Sequence, residues 1–183
     1  MRANRRSGFA GVLLASVLAS VASEAAQAAA PFTAERAAKL VTELGPQKAA
    51  EQVLNDSPTL EAVAAGVAGG RREWLDVGSQ LIGVAESYLK DRLTQSFSIA
   101  LQHDAAAVLA RGAAGVPLQA VCSYDPFMGT ETKPTRQQFE SAVALRERAV
   151  AAVQRPELAA AKTTCLEAVG QLRATGGKQP PSS

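Results

Sequence analysis

Apolar residues recur at helical spacing along nearly the whole chain, and turn-forming residues cut the pattern into short pieces. Ala37, Leu40, Val41 and Leu44 fall on one stripe of a first helix, which Thr33 caps and Gly45 ends. A second helix starts near Pro46 and runs through Val53 and Leu54 to Asn55. Asp56, Ser57 and Pro58 form the next turn, with Ser57 as the cap and Pro58 in the first helical position. Leu60, Val63, Ala64 and Val67 mark a third helix that stops at Gly69 and Gly70, and Trp74, Val77 or Gly78, and Leu81 mark a fourth over 71–82.

The longest stripe is Leu89, Leu93, Phe97 and Ala100, which predicts a helix over 86–102. Asp104 is placed to cap a short helix over 105–111, and a loop rich in glycine and proline follows over 112–133. Thr135 with Gln138 three residues on resembles a capping box for a helix reaching Val153, striped by Phe139, Val143, Arg146 and Val150. The arginine in that stripe is expected to lay its stem on the apolar surface and hold its head in water. Pro156 opens a last helix with Leu158, Cys165, Leu166, Val169 and Leu172.

This succession predicts an all-α chain, a single domain of about seven or eight short helices at 29–175, with a disordered tail at 176–183. Aromatics at only 4% and abundant alanine favour helices packed closely through small side chains over sheets. The segments 54–66 and 101–112 echo one another, each a helix end, an acidic turn and an alanine-valine helix. Without a regular period, the echo points to an irregular bundle with some stacked-hairpin, HEAT-like character rather than a true solenoid.

The first thirty residues break the pattern and set the compartment. Arg2, Arg5 and Arg6 precede an apolar run from Phe9 to Ala22, and Ala26 and Ala28 flank Gln27 as a cleavage site. The run is shorter than the roughly 20 residues a permanent span requires. A cleaved export signal at 1–28 is the expectation, by the general secretory route or, given Arg5-Arg6, the twin-arginine route. The mature chain is then periplasmic or secreted, with no stable membrane span. Cleavage removes three of the 19 basic and one of the 17 acidic residues, leaving sixteen of each. A near-neutral chain without basic clusters gives counterion release little to work with, so nucleic acid is not an expected partner.

Two cysteines, Cys122 and Cys165, lie in the exported part, where an oxidising compartment favours a disulfide. It would close a loop of about 44 residues and stabilise the fold by on the order of 4 kcal/mol in the chain-entropy account. No cofactor or metal site is expected, because His103 is the one histidine and no phosphate-cradling glycine loop is present. Nor does any serine lie in a Gly-x-Ser-x-Gly elbow. Catalysis has one candidate, Glu86, as general acid of a cell-wall hydrolase, with Trp74 or Tyr88 supplying an apolar wall. Glu86-Ser87 resembles the opening of the lytic transglycosylase signature, although the Gly-Leu-Met-Gln segment of that family is missing downstream.

The loop around Cys122 concentrates the distinctive side chains, Tyr124, Asp125, Phe127 and Met128, in a chain poor in aromatics. Aromatic and methionine side chains carry much of the energy of interfaces, and a loop tied by a disulfide is pre-organised. These four residues are the candidate interaction surface for an envelope protein, as inhibitor, immunity or accessory factor. Phe127 and Met128 can alternatively plug the base of the bundle beneath the disulfide. A small-molecule pocket between helices is a further alternative.

Overall fold

Most of the turn formers identified in the pattern meet a chemical requirement of the helix end beside them. The computed structural model describes residues 31–176, so the expected signal at 1–28 lies outside the described residues, as does all of the expected tail except Gly176. The described residues form eight α-helices, two turns of 3₁₀ helix and no strand, an all-α single-domain fold. Thr33 caps α1 (Ala34–Leu44), its hydroxyl accepting from the Arg36 amide at 3.3 Å. Gly45, at φ +77°, joins α1 to α2 (Pro46–Asn55) in a conformation that a side chain resists. The cap of α3 (Ser57–Ala68) is Asp56 rather than the expected Ser57, its carboxylate accepting from the Thr59 amide at 3.2 Å. Ser57 and Pro58 are therefore the first two helical residues.

Helix α4 (Arg72–Ile82) buries Trp74, Leu75, Val77, Leu81 and Ile82 and ends at Gly83. Helices α1 to α4 pack on one another and, through α3 and α4, on α5 (Ser87–Ala110). Alanine and glycine let these helices approach closely. A Cβ on Gly66 would collide with the Trp74 indole, and one on Gly78 would lie 2.8 Å from Val67 and 3.1 Å from Phe97. The only tryptophan of the chain is thereby held 3% exposed, with the Phe32 ring 6.4 Å away.

The central element is α5, which touches α3, α4, α6, α7 and α8. It breaks at Asp104 (φ −147°, ψ 79°), where the carboxylate accepts from the Ala107 amide at 2.9 Å, the cap expected there. Because α5 contacts helices on both sides, and α1 reaches α4, the arrangement is an irregular bundle; in a solenoid each repeat would touch only its neighbours.

The expected long loop after Gly112 contains structure of its own, the 3₁₀ turn Arg111–Ala114 and α6 (Leu118–Cys122). Helix α7 (Arg136–Ala151) opens with both bonds of the Thr135/Gln138 capping box. It stops two residues short of Val153, where Lys162 donates to the carbonyls of Ala151 at 2.6 Å and Val153 at 2.8 Å. Pro156 opens a 3₁₀ turn, Pro156–Leu158, before α8 (Ala159–Thr175). Helix α8 packs on both α6 and α7.

Candidate functional site: a loop held by a disulfide and a buried arginine

Cys122 ends α6 and Cys165 lies in the middle of α8; the two are joined in a disulfide with Cα atoms 5.2 Å apart. Both are fully buried. Since α6 is only five residues long, too short to hold itself in place, the bridge and the apolar contacts of Leu118 and Val121 dock it.

Arg146 supplies the second anchor, and it does so by a route opposite to the expected one. Instead of extending to water it is 2% exposed, the largest fully buried side chain among the described residues. Its Nη1 donates to the carbonyl oxygens of Cys122 at 2.9 Å and Tyr124 at 2.7 Å, while Nε is buried without a partner. Two carbonyl dipoles take the place of water around the cation. Burial lowers the guanidinium pKa to about 10, partly offset by the Asp125 carboxylate, so the group remains charged at neutral pH. A buried cation satisfied by main-chain oxygens is expensive to break, because removing it leaves those carbonyls unpaired in the interior.

Beyond the anchors, the loop closes on itself. Asp125 accepts through its side chain from the Phe127 amide at 2.9 Å and through its carbonyl from the Met128 amide at 3.1 Å. Thr130 bonds the Phe127 carbonyl through both its amide, at 3.1 Å, and its hydroxyl, at 2.9 Å. Phe127 packs against the core, as the plug reading requires of it, whereas Met128 is 38% exposed. Tyr124 and Asp125 are half-buried. Burial and then the Asp91 carboxylate push the Tyr124 phenol above its ordinary pKa, with Arg92 opposing them, so this phenol sits in the field of α5. Beside the loop, Asp125 borders a cleft of about 660 Å³ together with Lys133, Arg136 and Arg173. Arg173 is engaged with Glu147 at 2.7 Å and Glu140 at 3.4 Å.

The structure thus brings together Tyr124, Asp125, Phe127 and Met128 on one ordered loop beside the disulfide. It places Glu86 elsewhere, at the N-cap of α5, in a cavity of about 220 Å³ between α2 and the α4–α5 turn. Neither Trp74 nor Tyr88 lines that cavity, so the aromatic wall of the hydrolase alternative is not part of it. Among the described residues no helix is long and apolar enough to cross a membrane, and no group of three or more His, Cys, Asp or Glu is placed to hold a metal ion. A search for relatives finds no family model, curated protein or solved structure that matches the chain.

Proposed function

We propose that the protein is an exported, non-catalytic binding module that captures another envelope protein through the loop carrying Tyr124, Asp125 and Met128. The observation that carries this reading is the double anchoring of the loop, by the Cys122–Cys165 disulfide and by Arg146 on the Cys122 and Tyr124 carbonyls. A loop ordered before it meets a partner loses little conformational entropy on binding, and anchoring of this kind is what such a surface needs. The disulfide also fits export to the periplasm or the exterior. An inhibitor, immunity or accessory role is consistent with this surface. Phe127 acts as the internal footing, and Tyr124 and Met128 are the contact residues.

The test is capture from envelope extract by the immobilised disulfide-bonded protein beside a Tyr124→Ala/Met128→Ala variant. Phe127 is left intact because it packs against the core. A stoichiometric partner that the variant loses, while its melting temperature is kept, supports the reading. A partner retained by the variant overturns the assignment of the surface.

A second reading is favoured by a separate observation, the cavity between α2 and the α4–α5 turn. Concave sites between helices with an apolar floor and a few polar groups at the rim are where small ligands bind.

A further inference from the structure

The cavity that contains Glu86 has a chemistry that selects among small ligands. Its floor is aliphatic, with Leu89 fully buried and Leu54 and Val84 half-buried against the core. Its rim carries two carboxylates, Glu51 and Glu86, and two amides, Gln47 and Asn55, all exposed. None of the four side chains makes a hydrogen bond or ion pair among the described residues, and no lysine, arginine or histidine is among the described lining residues.

Two charges of one sign facing a concave apolar surface set up a field that water screens less well than on an open face. The start of α5 at the same rim opposes it with a helix-dipole charge of only about +0.5. The two full negative charges win, so the rim favours a cation, and the floor favours that cation on a hydrocarbon chain. About 220 Å³ corresponds to about seven water-sized groups at about 30 Å³ each, the size of a five- or six-carbon amine. Resting on the small-molecule reading above, we infer that this cavity binds a primary alkylammonium group, its chain on Leu54, Val84 and Leu89 and its ammonium between Glu51 and Glu86. The same chemistry is offered by a free alkylamine and by the side chain of a lysine.

The experiment is an NMR titration of the isotope-labelled, disulfide-bonded chain at neutral pH and low salt. The probes are pentylamine, 1-pentanol, pentanoate and N-acetyl-lysine methylamide. Saturable shifts of the Glu51, Leu54, Val84 and Leu89 amides are expected with pentylamine, weaker ones with pentanol and the weakest with pentanoate. Glu51→Gln and Glu86→Gln, both at exposed positions, should each weaken pentylamine by about threefold to fivefold without changing the melting temperature. Additional binding of the lysine derivative assigns a lysine side chain as a source, and its exclusion assigns a free amine; both outcomes support the site. Pentanol or pentanoate binding as tightly as pentylamine, or a double Gln variant that binds like the wild type, overturns the ammonium assignment and leaves the small-molecule reading standing. No saturable shift with any probe overturns both.

Discussion

The two ends of the bundle are held by different physics. On the side of α1 to α4, buried alanines, glycines and valines let helices approach until Gly66 lies against the Trp74 indole and Gly78 against Phe97. No charged side chain is buried there among the described residues, and the one unsatisfied polar side-chain atom is Trp74 Nε1. On the side of α6 to α8 a five-residue helix and the long connection over 123–135 interrupt the packing, and a covalent bridge and a buried arginine hold that segment. Apolar packing is non-directional; a disulfide and a guanidinium shared by two carbonyls specify one geometry. The half with directional anchors is also the half that presents the ordered loop, which is why we place the interaction surface there.

The comparison breaks most sharply at Arg146. Arg146→Ala leaves two carbonyls unpaired and a cavity where the largest fully buried side chain stood, and the two together are expected to cost about 3–5 kcal/mol by urea denaturation. Arg146→Met fills much of the volume and removes the desolvated charge, so it should cost less, about 1–3 kcal/mol for the unpaired carbonyls. A methionine variant as stable as the wild type would mean that packing, not the carbonyl contacts, is what Arg146 provides.

Next in size is the disulfide. Replacing both cysteines by alanine should lower stability by about 2–4 kcal/mol, and protease cleavage should then concentrate in residues 123–135 while α1 to α4 stay intact. Cleavage spread evenly over both halves would contradict the division drawn here.

On the other side, Gly66→Ala sets two effects against each other. Alanine favours the helix over glycine by about 1 kcal/mol, but its methyl would occupy the space of the buried indole, and overpacking costs about 1–3 kcal/mol. Overpacking should prevail because the obstacle is a fused ring at 3% exposure rather than a mobile chain end. The single tryptophan reports the result directly as a shift in its emission together with a lowered melting temperature. An unshifted, more stable variant would contradict the close approach of α3 and α4.

The smallest effect expected is acid sensitivity at the α7–α8 pair. Arg173 hydrogen-bonds Glu147 and holds its carboxyl below the ordinary value of 4.5. A carboxyl with a depressed folded-state pKa stabilises the fold fully above its unfolded value, and that contribution is lost as pH falls through the lower folded value. Both partners are more than a third exposed, so the difference should be a few tenths of a kcal/mol, seen as a shallower loss of stability below pH 4.5 in Glu147→Gln.

Much of this architecture was legible in the chain because helical periodicity and capping are local. The Thr135/Gln138 box and the Asp104 cap both depend on residues within three positions. The five-residue α6 was not legible, since one turn is too short to show a period and its position depends on a cysteine 43 residues away. Arg146 was visible as a charged member of an apolar stripe, which is a signal, but its partners lie 22 and 24 residues earlier and no local pattern reveals them. Without those carbonyls, water is the natural destination for its head; with them, burial is. The cavity at Glu86 was half legible in the same sense. Glu86 stood out at a helix start, whereas Glu51 joins it only because α2 packs beside α4.

The central claim is that the Tyr124–Met128 loop is held in place by Arg146 and the disulfide. Hydrogen exchange at the Phe127, Met128 and Thr130 amides tests it most directly, because each donates within the loop. The account predicts slow exchange at these three amides in the disulfide-bonded protein. In Arg146→Met it predicts at least tenfold faster exchange there, with the α3 and α4 amides unchanged. Fast exchange at the three amides in the wild type, or a loop unaffected by loss of Arg146, would contradict it.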